Sequence, residues 1–191
     1  MSKKKILISV LLALFVVSGC FLSGCSFEEF SPDREKIISN FKENRLSFIS
    51  AAKSASQLGN DIYITTSEKF PVGEDKAKGI SGLYCVTMSE GNPTRYENIS
   101  DEAIEILLTS GGVDSIAVSA DGDRTICEFN CGGSGRYYFG IYYSSTNAPV
   151  FLGNMKLELR EKEDGYYYKS SDVSYYTSQI EDGYFYFEAV Y

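Results

Sequence analysis

The sequence predicts an α+β fold: a long N-terminal helix and a short second helix packed on a curved, mainly antiparallel β-sheet. Three observations carry that prediction. Apolar residues recur at helical spacing between residues 32 and 57 and again between 101 and 110, whereas from Val113 onward the chain reads almost entirely as strands. Aromatic residues gather late, with 12 of the 15 Tyr at or after position 137. Two pieces, Glu163-Asp164-Gly165-Tyr166-Tyr167-Tyr168 and Glu181-Asp182-Gly183-Tyr184-Phe185-Tyr186, repeat 18 residues apart, each a turn feeding an aromatic strand. Two copies are too few for a solenoid and suit successive hairpins of one antiparallel sheet.

The elements follow in order. Ser31 is placed to cap the first helix, with Pro32 at its first position and Asp33 and Glu35 in the first turn, where acids suit the helix dipole. Ile37, Ile38, Phe41, Phe48, Ile49, Ala52 and Ala55 then share one stripe, and Gly59-Asn60 ends the helix after Gln57. Glu35 and Glu43 balance the bases of its polar side, so the stripe reads as a core face; a membrane-surface helix needs a basic one. DIYITT at 61–66 and ISGLYCVTM at 80–88 are strand-like, with the loop KFPVGEDKAKG between them. Ser100 is placed to cap a second helix over 101–110, where Ile99 and Ile104 occupy staple positions, Leu107 and Leu108 continue the buried face and Gly111-Gly112 closes it. Beyond it VDSIAVS and RTICEFN flank the tight turn Asp121-Gly122-Asp123, RYYFGIYYS follows Gly132-Gly133-Ser134-Gly135, and KLELRE, GYYYKS, YYTSQI and GYFYFEAVY complete the sheet.

The first 24 residues read differently. Lys3, Lys4 and Lys5 precede an uncharged run from Ile6 to Val17, whose 12 residues reach about 18 Å as a helix against a hydrocarbon core of about 30 Å. The run is too short to span, and the small residues of a processing site follow it. Val17-Ser18-Gly19-Cys20 and Leu22-Ser23-Gly24-Cys25 stand in tandem, and here the chain resembles bacterial lipoproteins, whose lipobox is a Leu-like residue, two small residues and Cys. The resemblance implies a diacylglyceryl group on the Cys sulfur, removal of the preceding peptide and, often, acylation of the new N-terminus. Cys25 fits better than Cys20, because Leu22 suits the first box position and Ser26 rather than Phe21 follows. The chain then divides into a signal peptide (1–24), a lipidated tether (25–32) and a single domain (33–191), held on the extracytoplasmic face of the cell membrane. Each buried methylene contributes about 0.8 kcal/mol, and two acyl chains hold a protein at a membrane without a basic patch. Gly140-Ile141-Tyr142-Tyr143-Ser144 and the two Asp-Gly-aromatic strands also resemble small lipoproteins of Gram-positive bacteria, which often carry Trp where this chain has Tyr166 and Tyr184. That second resemblance implies no particular activity.

Charge and missing residue types exclude much chemistry. Removing residues 1–24 lowers the 18 basic residues to 15 against 26 acids, a net charge of −11. Such a surface repels nucleic acid. There is no His, and with it go Ser-His-Asp triads, Cys-His dyads and His-ligated metals, so no cofactor or metal is expected. Ser39-Asn40-Phe41-Lys42 and Ser50-Ala51-Ala52-Lys53 both fit Ser-x-x-Lys, yet both fall within one predicted helix and no Lys-Thr-Gly accompanies them. Paired carboxylates for glycoside cleavage remain open, although nothing marks a pair.

The remaining candidates are Cys and Tyr. A bridge between Cys127 and Cys131 within one strand would span about 13 Å, beyond the ~7 Å limit, so Cys85 with Cys127 or Cys131 is the candidate disulfide. Alternation instead places Cys127, Phe129 and Cys131 on one face as buried thiols. The same alternation turns Tyr166 and Tyr168 one way and Tyr167 the other. Phenols presented to solvent suit glycan stacking or a protein interface, which makes Tyr142, Tyr143, Tyr167, Tyr184 and Tyr186 the candidate binding surface. The sequence thus points first to a non-enzymatic, membrane-anchored lipoprotein that binds an envelope or extracellular protein or glycan. An inhibitor or immunity-type protein for a basic partner and a carboxylate-based hydrolase are the alternatives.

Overall fold

A computed structural model of the chain describes residues 32–70, 79–152 and 157–191. The expected signal peptide, both lipidation candidates Cys20 and Cys25, and the tether as far as Ser31 lie outside these residues. In chain order the elements are α1 (Arg34–Glu43), α2 (Arg45–Leu58), β1 (Ile62–Thr66), β2 (Leu83–Ser89), β3 (Asn92–Asn98) and α3 (Glu102–Thr109). They continue as β4 (Ser115–Asp121), β5 (Arg124–Ser134), β6 (Tyr137–Ser144), β7 (Arg160–Lys162), β8 (Gly165–Lys169), β9 (Ser174–Glu181) and β10 (Tyr184–Val190).

Asn44 divides the N-terminal helical stripe in two. It leaves helical geometry at φ −104° and ψ 20°, and its Nδ2 donates to Asn40 O at 3.1 Å and to Asn40 Oδ1 at 2.8 Å. An Asn side chain competes with the backbone for helical hydrogen bonds, and the helix breaks at this single residue although Asn44 N still donates to Asn40 O at 3.0 Å; α2 starts at Arg45. The stripe survives the break, with Phe41, Phe48, Ala52 and Ala55 buried. The long N-terminal helix of the sequence reading is therefore absent. The α+β fold built around it gives way to a ten-stranded antiparallel sheet with three short helices among the described residues.

Two helix starts also shift. Asp33 Oδ1 accepts from Lys36 N at 3.0 Å, and Asp101 Oδ1 accepts from Ile104 N at 2.9 Å, so Asp33 and Asp101 cap rather than Ser31 and Ser100. A carboxylate caps and also meets the positive end of the helix dipole.

The strands run in the order β3-β2-β1-β4-β5-β6-β10-β9-β8-β7. Both repeated Glu-Asp-Gly pieces form hairpin turns, between β7 and β8 and between β9 and β10, and Asp121-Gly122-Asp123 turns β4 into β5 with Gly122 at φ 60°. The β3 edge strand, Asn-Pro-Thr-Arg-Tyr-Glu-Asn, has no counterpart in the sequence reading. Its polar residues and Pro93 are what an edge tolerates and a central strand does not.

Both faces of the inner strands are covered, whereas the edge strands β3 and β7 are exposed. Cys85, Ile64, Ile116, Phe129, Ile141 and Tyr186 form one register row across six strands, and all are buried. Over the β1–β5 part of this face lie the helices. The Phe48 ring stands 4.9 Å from Phe129 and 5.1 Å from Phe41, which in turn reaches Tyr184 at 5.1 Å. Each such Phe contributes about 1.5–3 kcal/mol by burial. Two arginines fasten the helices to the last hairpin: Arg34 lies over the rings of Tyr176 and Tyr186, and Arg45 Nε reaches both oxygens of Glu181. On the opposite face Tyr142, Tyr175, Phe185 and Phe187 form a second core with Ile126, Val150 and Leu152. Among the described residues no helix covers it; the segment 145–152 does.

Candidate functional site

The second face carries the site because β5 serves two environments. Cys127 and Phe129 point into the helix-covered core, and alternation turns Arg124, Ile126 and Glu128 the other way. Opposite them on β4 stand Asp121, Ser119 and Ala117.

The segment after β6 crosses this face as a strap, fixed at successive points. Ser145 N donates to Thr125 O at 3.0 Å, while Thr125 N donates back to Ser145 Oγ at 2.9 Å. Asn147 Oδ1 accepts from Gly183 N at 2.6 Å and from Gln179 Nε2 at 2.8 Å. Val150 is held on both sides: its N–H donates to the Tyr142 phenol at 3.0 Å, and its carbonyl accepts from the Tyr175 phenol at 2.9 Å. The Tyr191 phenol donates to Leu152 O.

Between strap and strands lies a groove of about 840 Å³, within the range of about 300–1,000 Å³ usual for small-molecule sites. Arg124, Ile126 and Glu128 form its floor in a row, with Cα atoms of the two charged residues about 13 Å apart at about 3.3 Å per residue. Val150, Phe151, Leu152 and Leu159 make the apolar wall, and Tyr166 of β8 adds a ring. Asp61 and Asp121 stand exposed along the rim.

The polar groups of the floor are unspent. Arg124 Nε is buried and has no hydrogen-bond partner, a state that costs about 1–3 kcal/mol or more for a charged group. Neither Arg124 nor Glu128 enters an ion pair among the described residues. Burial of the half-buried Glu128 raises its carboxyl to about 7, so near neutrality it can hold or release a proton. An apolar wall facing a cation and a poised carboxyl can bind an amphipathic ligand or serve acid–base chemistry. Among the described residues no cluster of three His, Cys, Asp or Glu is placed to hold a metal ion.

The predicted Tyr surface does not form. Tyr142, Tyr184 and Tyr186 are buried, and Tyr143 and Tyr167 are half-buried. Nor do they share a face: Tyr184 pairs with Tyr143 and Tyr186 with Ile141, whereas Tyr142 lies on the other side, stacked on Phe185 at 5.1 Å. Burial pushes the Tyr142 phenol up to about 12 and that of Tyr186 well above its ordinary value. Tyr167 sits beneath the Lys162 ammonium, 4.9 Å from its ring centroid. Burial on both sides of β6 and β10 leaves these rings little solvent.

Nor is the predicted disulfide made: Cys85, Cys127 and Cys131 are free thiols. β1 and β4 separate β2 from β5, three strand spacings of about 4.8 Å, so Cys85 stands about 14 Å from the β5 cysteines, twice the reach of a bridge. Cys127 and Cys131 do share the helix-covered core with Phe129, as their spacing predicts.

Sequence reasoning missed Arg124 and Glu128. A signal was present in Arg124-Thr125-Ile126-Cys127-Glu128-Phe129, where charged residues alternate with apolar ones about a central Ile. On a one-sided sheet that pattern means a solvated face, and only the strap makes it a groove floor. A search of family models, of curated proteins and of solved structures finds no match to this chain.

Proposed function

We propose that the chain is a lipid-anchored, extracytoplasmic binding protein, held at the membrane through Cys25, or Cys20 in its place, with the groove above β5 as its ligand site. The observation that carries the ligand site is the buried, unpartnered Nε of Arg124 beside an apolar wall. A buried donor without an acceptor is retained when something else brings the acceptor. The anchor rests on the charged start, the short apolar run and the tandem lipoboxes. No helix among the described residues is long and apolar enough to cross a membrane. The net charge of −11 left after leader removal keeps the domain off anionic lipid and away from nucleic acid.

Thermal-shift screening of the wild type against peptides, glycans and aliphatic acids, beside an Ile126→Trp variant that fills the floor, tests the site. At least one class raises the Tm of the wild type and leaves the variant unmoved. Equal shifts in both proteins, or none in either, contradict the reading.

Glu128 favours a second reading, a carboxylate-based hydrolase. A carboxyl raised to about 7, in a groove that Asp61 and Asp121 also line, has the protonation behaviour of a general acid. Turnover of a glycoside or ester that Glu128→Gln abolishes without weakening binding decides for that reading.

A further inference from the structure

We infer that the groove takes a short zwitterionic peptide of about three residues with apolar side chains, its carboxylate on Arg124 and its amino group on Glu128. The inference rests on the groove being the ligand site.

Charge order supplies the first argument. Along the floor the side chains run cation, apolar, acid, over about 13 Å between the outer Cα atoms. Three extended residues cover about 10 Å, which leaves room for a hydrogen-bonded contact at each end. The two floor charges lie too far apart to neutralise each other, and neither has an ion-pair partner among the described residues. A ligand with opposite charges at its two ends satisfies both.

Donor chemistry supplies the second. Arg124 offers a buried Nε lacking an acceptor, and a carboxylate is the planar acceptor that a guanidinium fork fits. Polyanions are disfavoured, because Glu128, Asp61 and Asp121 outnumber the single Arg of the lining. An aliphatic acid would meet Arg124 but lay hydrocarbon on Glu128, burying that carboxyl without a partner.

The wall supplies the third. Val150, Leu152 and Leu159 are aliphatic, and they suit Leu-like side chains better than the hydroxyl-rich edge of a sugar, whose polar groups they would leave unpaired. The peptide lies across a sheet face and not along an edge, so no backbone ladder reads it. Recognition falls to the termini and to general apolarity.

The test is calorimetric titration of the full-length protein in detergent near neutral pH with trileucine, N-acetyl-trileucine, trileucine amide, lauric acid and the trimer of N-acetylglucosamine. Trileucine binds the wild type at least about tenfold more tightly than either blocked form. Arg124→Gln costs trileucine about tenfold and leaves the amide unchanged, and Glu128→Gln costs trileucine about tenfold and leaves the N-acetyl form unchanged. Equal binding of the three peptides, or their failure to bind while lauric acid or the sugar trimer binds in an Ile126→Trp-sensitive manner, overturns the ligand class and leaves the groove standing. If nothing binds in an Ile126→Trp-sensitive manner, the groove reading falls too.

Discussion

The phenol of Tyr142 accepts the backbone N–H of Val150 at 3.0 Å, and through that bond the strap closes the groove. Thr177 Oγ1 donates to Tyr186 O at 2.7 Å, so its oxygen is left to accept from the Tyr142 hydroxyl at 3.0 Å. A directed chain results, running from Val150 N–H through two hydroxyls to a β10 carbonyl. All of it is buried.

Tyr142→Phe keeps the ring stacked on Phe185 but leaves the Val150 N–H without its acceptor. An orphaned buried donor costs about 1–3 kcal/mol. Urea unfolding is expected to show that loss with an unchanged m-value, and amide exchange at Val150 to accelerate more than exchange at Phe129 in the other core. An unchanged midpoint removes the strap's tie to β6.

Glu128 gives the protein an unusual pH response. Burial raises its carboxyl from 4.5 to about 7 in the folded state, so between those values the native state holds a proton that the unfolded chain has released. Stability from this group therefore falls as pH rises from about 4.5 to about 7, by about 2–3 kcal/mol. Glu128→Gln has no such loss. The variant is expected to match the wild type near pH 4 and to exceed it by about that amount near pH 8. A constant difference at all pH values contradicts the burial of this carboxyl.

The cysteines are expected to behave as core residues. Burial raises the thiol of Cys85 to about 11, that of Cys131 to about 12 and that of Cys127 further still. The thiolate is the reacting species. Iodoacetamide at neutral pH should modify these three positions slowly in the native protein and quickly in guanidinium, as read by peptide mass spectrometry. Fast native labelling, or a bridged peptide, contradicts the arrangement.

Legibility in the sequence follows burial geometry. The β4–β5, β7–β8 and β9–β10 hairpins were readable because Asp-Gly turns and strand alternation are local properties. The break at Asn44 is invisible to periodicity, because the apolar stripe keeps its phase across it, from Phe41 to Phe48. β3 was unreadable because an edge strand needs no apolar face. The groove depends on residues 145–152 lying over β5, a placement fixed by Tyr142 of β6, by Tyr175 of β9 and by the bonds of Asn147 to Gln179 and Gly183, and no local pattern reports it. The same covering buried the tyrosines that looked most available.

The chain has no Trp, so a Tyr166→Trp variant carries a single Trp, excited apart from the tyrosines at long wavelength, on the groove lining. Titrating it with trileucine, lauric acid and the sugar trimer tests most directly whether this groove is where ligands go. A saturable Trp emission change with one of them, lost when Ile126→Phe is added to the Tyr166→Trp variant to fill the floor, is the predicted result. Emission that none of the three moves, or that moves equally with the floor filled, contradicts the account.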